Sequence, residues 1–126
     1  CYGGFMVGQE AAKRMLGLGQ GAIFFTGASA SIKGYPRSSP FAISKFGLRG
    51  LAQSLARELA PKNIHVAHFV IDGGISTGDA DPRNDENKED GLLKPEAIAD
   101  TYLHVLQQHR SAWSWEVELR PWCENF

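Results

Sequence analysis

The apolar stretch AIFFT, residues 22–26, decides the fold class of this chain. A short run of this kind next to glycine is typical of a strand buried on both faces of a parallel sheet. Residues 64–71 form a second run that is nearly continuous in apolar side chains. Parallel neighbours need a crossover connection, and residues 40–60 have the length and pattern of a helix. The two runs therefore predict a β-α-β unit.

The helix predicted for residues 40–60 carries a lysine on its apolar face. Pro40 suits a first turn, because its missing N–H has no intrahelical partner there. The residues that share this face are Phe41, Lys45, Leu48, Ala52, Leu55 and Leu59. Burying an unpaired ammonium group is costly. Lys45 therefore indicates either a functional site or a packed stem whose amine reaches solvent.

The remaining segments continue the alternation of helix and strand. Helical spacing predicts helices over residues 2–18 and 94–108, and a tryptophan-rich alternation predicts a strand over residues 111–119. The inward residues of the third helix are predicted to be Ile98, Tyr102, Val105 and Leu106. Helix and strand then alternate three times, which predicts an α/β fold with three parallel strands and helices on the faces of the sheet.

A long polar segment, residues 72–93, separates the second strand from the third helix. It holds seven acidic residues against only Arg83 and Lys88, and it is rich in glycine. A loop of this length is unusual in a small domain, so it is either a functional lid or disordered.

Composition narrows the functional classes. The 126 residues suit one domain, and 13 basic against 14 acidic residues give a net charge of −1. This balance argues against nucleic acid or an anionic membrane surface as a partner. No apolar run reaches the roughly 18–20 residues of a membrane span. Cys1 and Cys123 have no metal-ligand spacing and form no disulfide framework, so we expect a cytoplasmic, reduced protein without a metal site.

Five segments, in this order and spacing, resemble the C-terminal half of the short-chain dehydrogenase/reductase family. They are Gly3–Phe5 with Ala11–Met15, Gly21–Ser29, Phe41–Lys45, Leu51–Leu59 with Ile64–Val66, and Asp72–Thr77. The resemblance implies one truncated, half doubly wound Rossmann-like domain over residues 1–126. It also implies hydride transfer between NAD or NADP and a carbonyl or alcohol, with residues 72–93 as a flexible substrate loop.

Part of the family pattern has no counterpart in this sequence. The family's dinucleotide-binding half, with its Gly-rich turn after the first strand, is absent from these 126 residues. Gly17, Gly19 and Gly21 follow a helix and precede a strand, which favours a helix stop over a phosphate loop. The family's catalytic asparagine falls at the position just before Cys1. We therefore expect the isolated chain to be catalytically weak or inactive.

The resemblance also assigns candidate site residues. In the family a tyrosine is the general acid or base, a lysine lowers its pKa and holds the ribose, and a serine steadies the substrate oxygen. Phe41 occupies the tyrosine position and has no proton to exchange, and loss of such a group costs about 10²–10⁴ in rate. Lys45 is retained. Ser29 is the nearest candidate for the serine, although strict counting points to Ala28, and Tyr35 is a remote alternative for the missing tyrosine.

The turn after the second strand is the other candidate site. Gly73, Ile75 and Thr77 match the family turn that contacts the nicotinamide end of the cofactor, while Asp72 replaces the usual proline. The alternative is an ordinary glycine turn with no ligand.

Two functions remain open at this point. The first is an oxidoreductase of the short-chain type, and the second is a non-catalytic module that oligomerises or binds a small ligand. We also predict self-association, either through helices 2–18 and 40–60 or through pairing at strand 22–26. That strand is expected to lie at an open edge of the sheet, where unpaired backbone groups invite association.

Overall fold

The computed structural model describes residues 1–126 and contains three α-helices and three β-strands. In chain order these are α1 (Tyr2–Leu18), β1 (Gly21–Thr26), α2 (Ser39–Leu59), β2 (Ile64–Ile71), α3 (Pro95–Leu106) and β3 (Glu116–Leu119). Short 3₁₀ turns lie at Ser29–Ser31, Ala60–Lys62 and Arg110–Ala112. The predicted alternation of helix and strand is confirmed.

The sheet is parallel throughout, with the strand order β1-β2-β3. Gly21 pairs with Ile64 at one end of β1, and Thr26 pairs with Phe69 at the other. Every residue of the central strand β2 is buried, which explains its continuous apolar run. As predicted, β1 lies at an edge, because it pairs with β2 alone.

Helices cover both faces of the sheet, so the fold has three layers. The side chains between the sheet and the pair α1 and α2 include Ala12, Ile23, Phe25, Ala52, Leu59 and Val66. Those between the sheet and α3 include Phe24, Ala67, Phe69, Ile71, Tyr102 and Val105. These two cores confirm the half doubly wound α/β architecture.

Two details of the sequence prediction are wrong. The last strand begins at Glu116 instead of residue 111, because the Gln108 side chain binds the segment before it. The Gln108 amide accepts from the Ser114 N–H at 2.8 Å and donates to the Ser114 hydroxyl at 3.0 Å, where a ladder bond was expected. Helix α3 ends at Leu106, whose side chain is 52 % exposed instead of inward.

Neither cysteine takes part in a disulfide. Cys1 is exposed, Cys123 is half-buried, and both are free. No helix in the structure has both the length and the hydropathy that a bilayer span requires.

Candidate functional site

The candidate site lies at the carboxyl edge of the sheet. Because the strands are parallel, β1, β2 and β3 all end at this edge, with Thr26, Ile71 and Leu119 as their last residues. Open α/β sheets bind ligands in the crevice outside the carboxyl ends of their strands. The segments that follow the three strands therefore decide what this edge can bind.

Lys45 is fixed at this edge by the backbone of β1. Its Nζ donates to the carbonyl oxygen of Thr26 at 3.0 Å and lies 5.9 Å from the ring centroid of Phe41. The predicted shared face of Phe41 and Lys45 is thus present, with the Phe41 ring 51 % exposed. An ammonium group has three donors, and Thr26 is its only hydrogen-bond acceptor in the structure. Two donors therefore remain for a ligand.

Asp72 joins the loops that follow all three strands. Its side chain is nearly inaccessible, and its Oδ2 lies 3.3 Å from Lys33 Nζ and 3.4 Å from Arg120 Nε. Burial opposes ionisation, but the polar Ser29 hydroxyl, the hydrogen bond from Lys33 and the charges of Lys33 and Arg120 outweigh it. The pKa of Asp72 is therefore lowered. Asp72 therefore links three segments through its charge: its own after β2, that of Lys33 after β1 and that of Arg120 after β3.

Of the two positions considered for the serine, Ser29 alone carries a hydroxyl, and the nearby Ser31 is inaccessible. Ala28 has no hydroxyl, and Ser31 is fully buried with its Oγ accepting the Ala28 N–H at 3.1 Å. Ser29 is half-buried, and its hydroxyl is one of the groups that lower the pKa of Asp72. Tyr35 is 47 % exposed on the following loop. The part of Ser29 in catalysis stays a prediction.

The turn after β2 begins at a glycine that no other residue can replace without strain. Gly73 has a φ of +153°, and a Cβ there would lie 2.7 Å from Pro121 Cδ. Further on, Ile75 forms a parallel bridge with Leu93, which closes the base of the long loop. The Ser76 N–H donates to the Leu93 carbonyl at 2.8 Å.

Thr77 is held by a carboxylate of the same loop. Asp81 Oδ2 accepts the Thr77 N–H at 2.9 Å and the Thr77 hydroxyl at 3.0 Å. Arg83 donates to both oxygens of Asp81, at 2.9 and 2.7 Å. These hydrogen bonds, led by that from Arg83, hold the pKa of Asp81 far below its usual range. The structure shows no hydrogen bond between this turn and Lys45, so the two candidate groups share an edge but not a contact.

A partly buried polar cluster joins α2 to β2 and β3, and its only signal in the sequence was a histidine in an apolar run. Arg49 donates twice to Glu116, at 2.6 and 2.7 Å, and Glu116 Oε2 lies 3.0 Å from His68 Nδ1. Burial lowers the pKa of His68 despite the nearby carboxylate. Burial raises that of Glu116, but Arg49 and His68 reverse the effect and leave it lowered. The cluster anchors the helix that carries Lys45.

Comparison with known proteins shows which family this chain belongs to. A family model described as short chain dehydrogenase matches residues 1–88. Because the match covers more than half of the sequence, this chain belongs to the short-chain dehydrogenase family, which confirms the resemblance in its motifs. The fold and the site at the carboxyl edge agree with an oxidoreductase of this family.

Individual relatives show how much of the family the chain spans. It is 38 % identical over 71 residues to L-2,3-butanediol dehydrogenase of Corynebacterium glutamicum, covering 56 % of this chain and 27 % of that protein. A solved short-chain dehydrogenase from Rhodopseudomonas palustris is 46 % identical, with a TM-score of 0.76 over 97 % of this chain and 48 % of that chain. The chain thus spans about half or less of the length of these relatives.

A third comparison concerns the fold alone. The structure of 4-hydroxyisoleucine dehydrogenase complexed with NADH matches 93 % of this chain and 53 % of that chain, with a TM-score of 0.77 and 21 % identity. The same three-layer architecture therefore occurs in a protein that is complexed with NADH.

Proposed function

We propose that this chain forms the nicotinamide and substrate side of an NAD(P)-dependent short-chain oxidoreductase, and that it is weak or inactive on its own. The observation that carries the proposal is the position of Lys45, which is tied to the end of β1 with two donors unused. Its location at the carboxyl edge of a parallel sheet is where a dinucleotide is expected in an open α/β fold.

The residues at this edge fit one end of a dinucleotide. Lys45 would hold the ribose hydroxyls, and the Gly73–Thr77 turn would contact the nicotinamide end with the exposed side chain of Ile75 and the backbone. When bound, the nicotinamide supplies the hydride chemistry. The half-buried Ser29 would steady a substrate oxygen with its hydroxyl.

Phe41 is the reason that we propose weak activity. Hydride transfer to a carbonyl leaves an alkoxide that needs a proton, and a phenyl ring has none to give. The ring instead lies beside the Lys45 ammonium, at 5.9 Å from centroid to Nζ. A tyrosine at this position would bring a hydroxyl into the neighbourhood of the same ammonium, whose charge favours the ionised phenol.

The test is a titration of the purified chain with NADH and with NADPH, followed by calorimetry. Saturable binding that Lys45→Met weakens at least tenfold supports the proposal. Lys62→Met is the matched control, because Lys62 is exposed and lies at the opposite end of α2. No binding at millimolar cofactor would overturn the proposal. Turnover gained by Phe41→Tyr would assign the low activity to the missing proton donor.

A second function is favoured by the apolar surface. Large hydrophobic side chains of α1 and α2 are exposed, among them Tyr2, Val7 and Ile43, each more than 70 % accessible. The outer edge of β1 is also unpaired. A non-catalytic module that oligomerises or binds a small ligand would use these surfaces, either helix against helix or strand against strand.

Sedimentation velocity at micromolar concentration tests the second function. A dimer or larger species that Ile43→Glu dissociates would support pairing through the helices. A species that survives this change and is lost with Ala22→Pro, which removes a backbone donor from β1 and leaves the packed Phe24 ring in place, would support strand pairing. A monomer at every concentration would exclude self-association.

A further inference from the structure

Residues 120–126, which follow β3, fold back across the carboxyl edge of the sheet, and we call this segment the strap. Pro121 is buried against Gly73, at the start of the candidate cofactor turn. Trp122 Nε1 donates to the carbonyl oxygen of Glu89 at 2.9 Å. Cys123 Sγ lies 3.9 Å from the carbonyl oxygen of Gly91. The strap therefore contacts the long loop near both of its ends.

Arg120 anchors the strap to the buried charge at this edge. Its Nε lies 3.4 Å from Asp72 Oδ2, and its Nη2 pairs with Glu118. The Phe126 ring covers the guanidinium, with 3.6 Å from Cζ to the ring centroid. Such stacking adds a cation–π attraction and shields the Arg120 ion pairs on one side from water.

The strap also forms one wall of a polar cavity. This cavity has a volume of about 450 Å³, and most of its walls come from residues 76–94 of the loop. Cys123, Glu124 and Asn125 complete it from the strap. A change in the strap therefore alters both the position of the loop and the shape of the space that it encloses.

We propose that the strap holds the Gly73–Thr77 turn and the 89–91 segment in place, with Arg120 and Trp122 as its positioning residues. Trp122 acts through its single hydrogen bond to the loop backbone, since its ring is 73 % exposed. Arg120 acts through Asp72, which directly precedes the turn. The effect on cofactor binding rests on the proposed function, whereas the anchoring of the loop does not.

Hydrogen exchange of the full chain tests the anchoring. Trp122→Phe removes the donor and keeps a large aromatic ring, and we expect about fivefold faster exchange for the amides of Gly91 and Leu93. These amides bond to the carbonyl oxygens of Lys88 and Gly74 at 2.8 Å and report on the loop directly. Unchanged exchange at both amides would overturn the proposal.

Trp113→Phe is the matched control. Trp113 Nε1 also donates to a backbone carbonyl, that of Gln108 at 3.2 Å, but this bond lies before β3 and away from the strap. We expect its loss to leave the exchange of Gly91 and Leu93 unchanged. Faster exchange in both variants would mean that either substitution destabilises the whole domain, and the proposal that the strap holds the loop would be wrong.

Titration with NADH separates this proposal from the proposed function. We expect Arg120→Met to weaken NADH binding about tenfold and Arg120→Lys to weaken it less, because lysine keeps a charge near Asp72. If the unaltered chain binds no NADH but Trp122→Phe still speeds exchange of the Gly91 and Leu93 amides, the anchoring by the strap is supported and the proposed function is wrong. If NADH binds and neither Arg120 variant changes its affinity, the positioning role of Arg120 is overturned.

Discussion

Lys45 and Thr26, 19 residues apart in sequence, are joined by a 3.0 Å hydrogen bond from the Lys45 ammonium to the Thr26 carbonyl oxygen. The bond ties the first half of α2 to the carboxyl end of β1. The ammonium on this apolar helix face thus has a backbone acceptor and no carboxylate partner, so two of its three donors remain for a ligand. The contact explains why a lysine is compatible with the apolar face of this helix.

Replacing Lys45 is expected to separate binding from folding. Lys45→Met keeps the stem and removes one hydrogen bond at a partly exposed site, which costs about 1 kcal/mol or less of the free energy of unfolding. We expect the loss in cofactor affinity to exceed this cost clearly. Urea unfolding and cofactor titration of the same variant measure the two effects, and equal losses in both would contradict a binding role.

The Arg49–Glu116 pair is expected to contribute more than an exposed pair. Its two bonds are short, and the Glu116 side chain is only 20 % exposed. We expect a coupling free energy of about 1–2 kcal/mol in a double-mutant cycle with Arg49→Met and Glu116→Gln. The pair of Glu10 and Lys13, both more than half exposed, is the control, with about 0.5 kcal/mol or less. Similar couplings for the two pairs would refute the argument.

Gly73→Ala is expected to destabilise the candidate turn. The φ of +153° is strained for alanine, and the new Cβ would meet Pro121 Cδ at 2.7 Å. We expect a loss of about 1–3 kcal/mol in the free energy of unfolding, read from denaturant midpoints. Gly50→Ala is the control, since its Cβ meets nothing within 4 Å, and in a helix it is expected to stabilise by up to about 1 kcal/mol.

The buried His68 is expected to make stability depend on pH. Burial lowers its pKa from the ordinary value of 6.5, and the charged groups around it are Glu116, Arg49 and Lys45. Below pH 6.5 the unfolded chain binds a proton at this position that the folded chain does not. The contribution of His68 to the free energy of unfolding is therefore fully present above pH 6.5. It is lost as the pH falls from 6.5 toward the pKa of the folded state, with a slope of at most about 1.4 kcal/mol per pH unit.

His68→Gln is expected to reduce that slope while leaving a donor for Glu116. Unfolding midpoints between pH 5 and pH 8 measure the slope of stability against pH. If the substitution itself destabilises the fold equally at every pH, the slope is unaffected. His104→Gln is the control, because His104 is exposed on α3 and should leave the slope unchanged. An unaltered slope in His68→Gln would show that another group is responsible.

The sequence predicted the elements well and the polar clusters poorly. The bounds of α1 and β2 were predicted to the residue, because Gly19 follows α1, Pro61 precedes β2, and β2 is a nearly continuous apolar run. The start of β3 was missed, since the side chain of Gln108 replaces ladder bonds before Glu116. A side chain that competes for backbone groups leaves no periodic signal.

For the candidate site, too, the sequence predicted some features and missed others. Spacing and resemblance pointed to Lys45, Gly73, Ile75 and Thr77 as candidates, since motif residues are local in sequence, and their part in binding stays a prediction. The partners of Asp72 were not predictable, because Ser29, Lys33 and Arg120 come from segments after two different strands. A buried aspartate after an apolar strand does signal that cationic or donor partners exist, but not which ones.

By itself the sequence determined the α/β class, the parallel order of elements and the family, and it shows a phenylalanine where the family motif has its tyrosine. These properties depend on side-chain type and on periodicity along the chain, both of which are local. Tertiary structure alone decided that Asp72 joins three loops, that Glu116 links Arg49 to His68, and that the strap crosses the candidate turn. Such contacts depend on how distant segments meet at one edge of the sheet, and that meeting is set by packing of the whole domain.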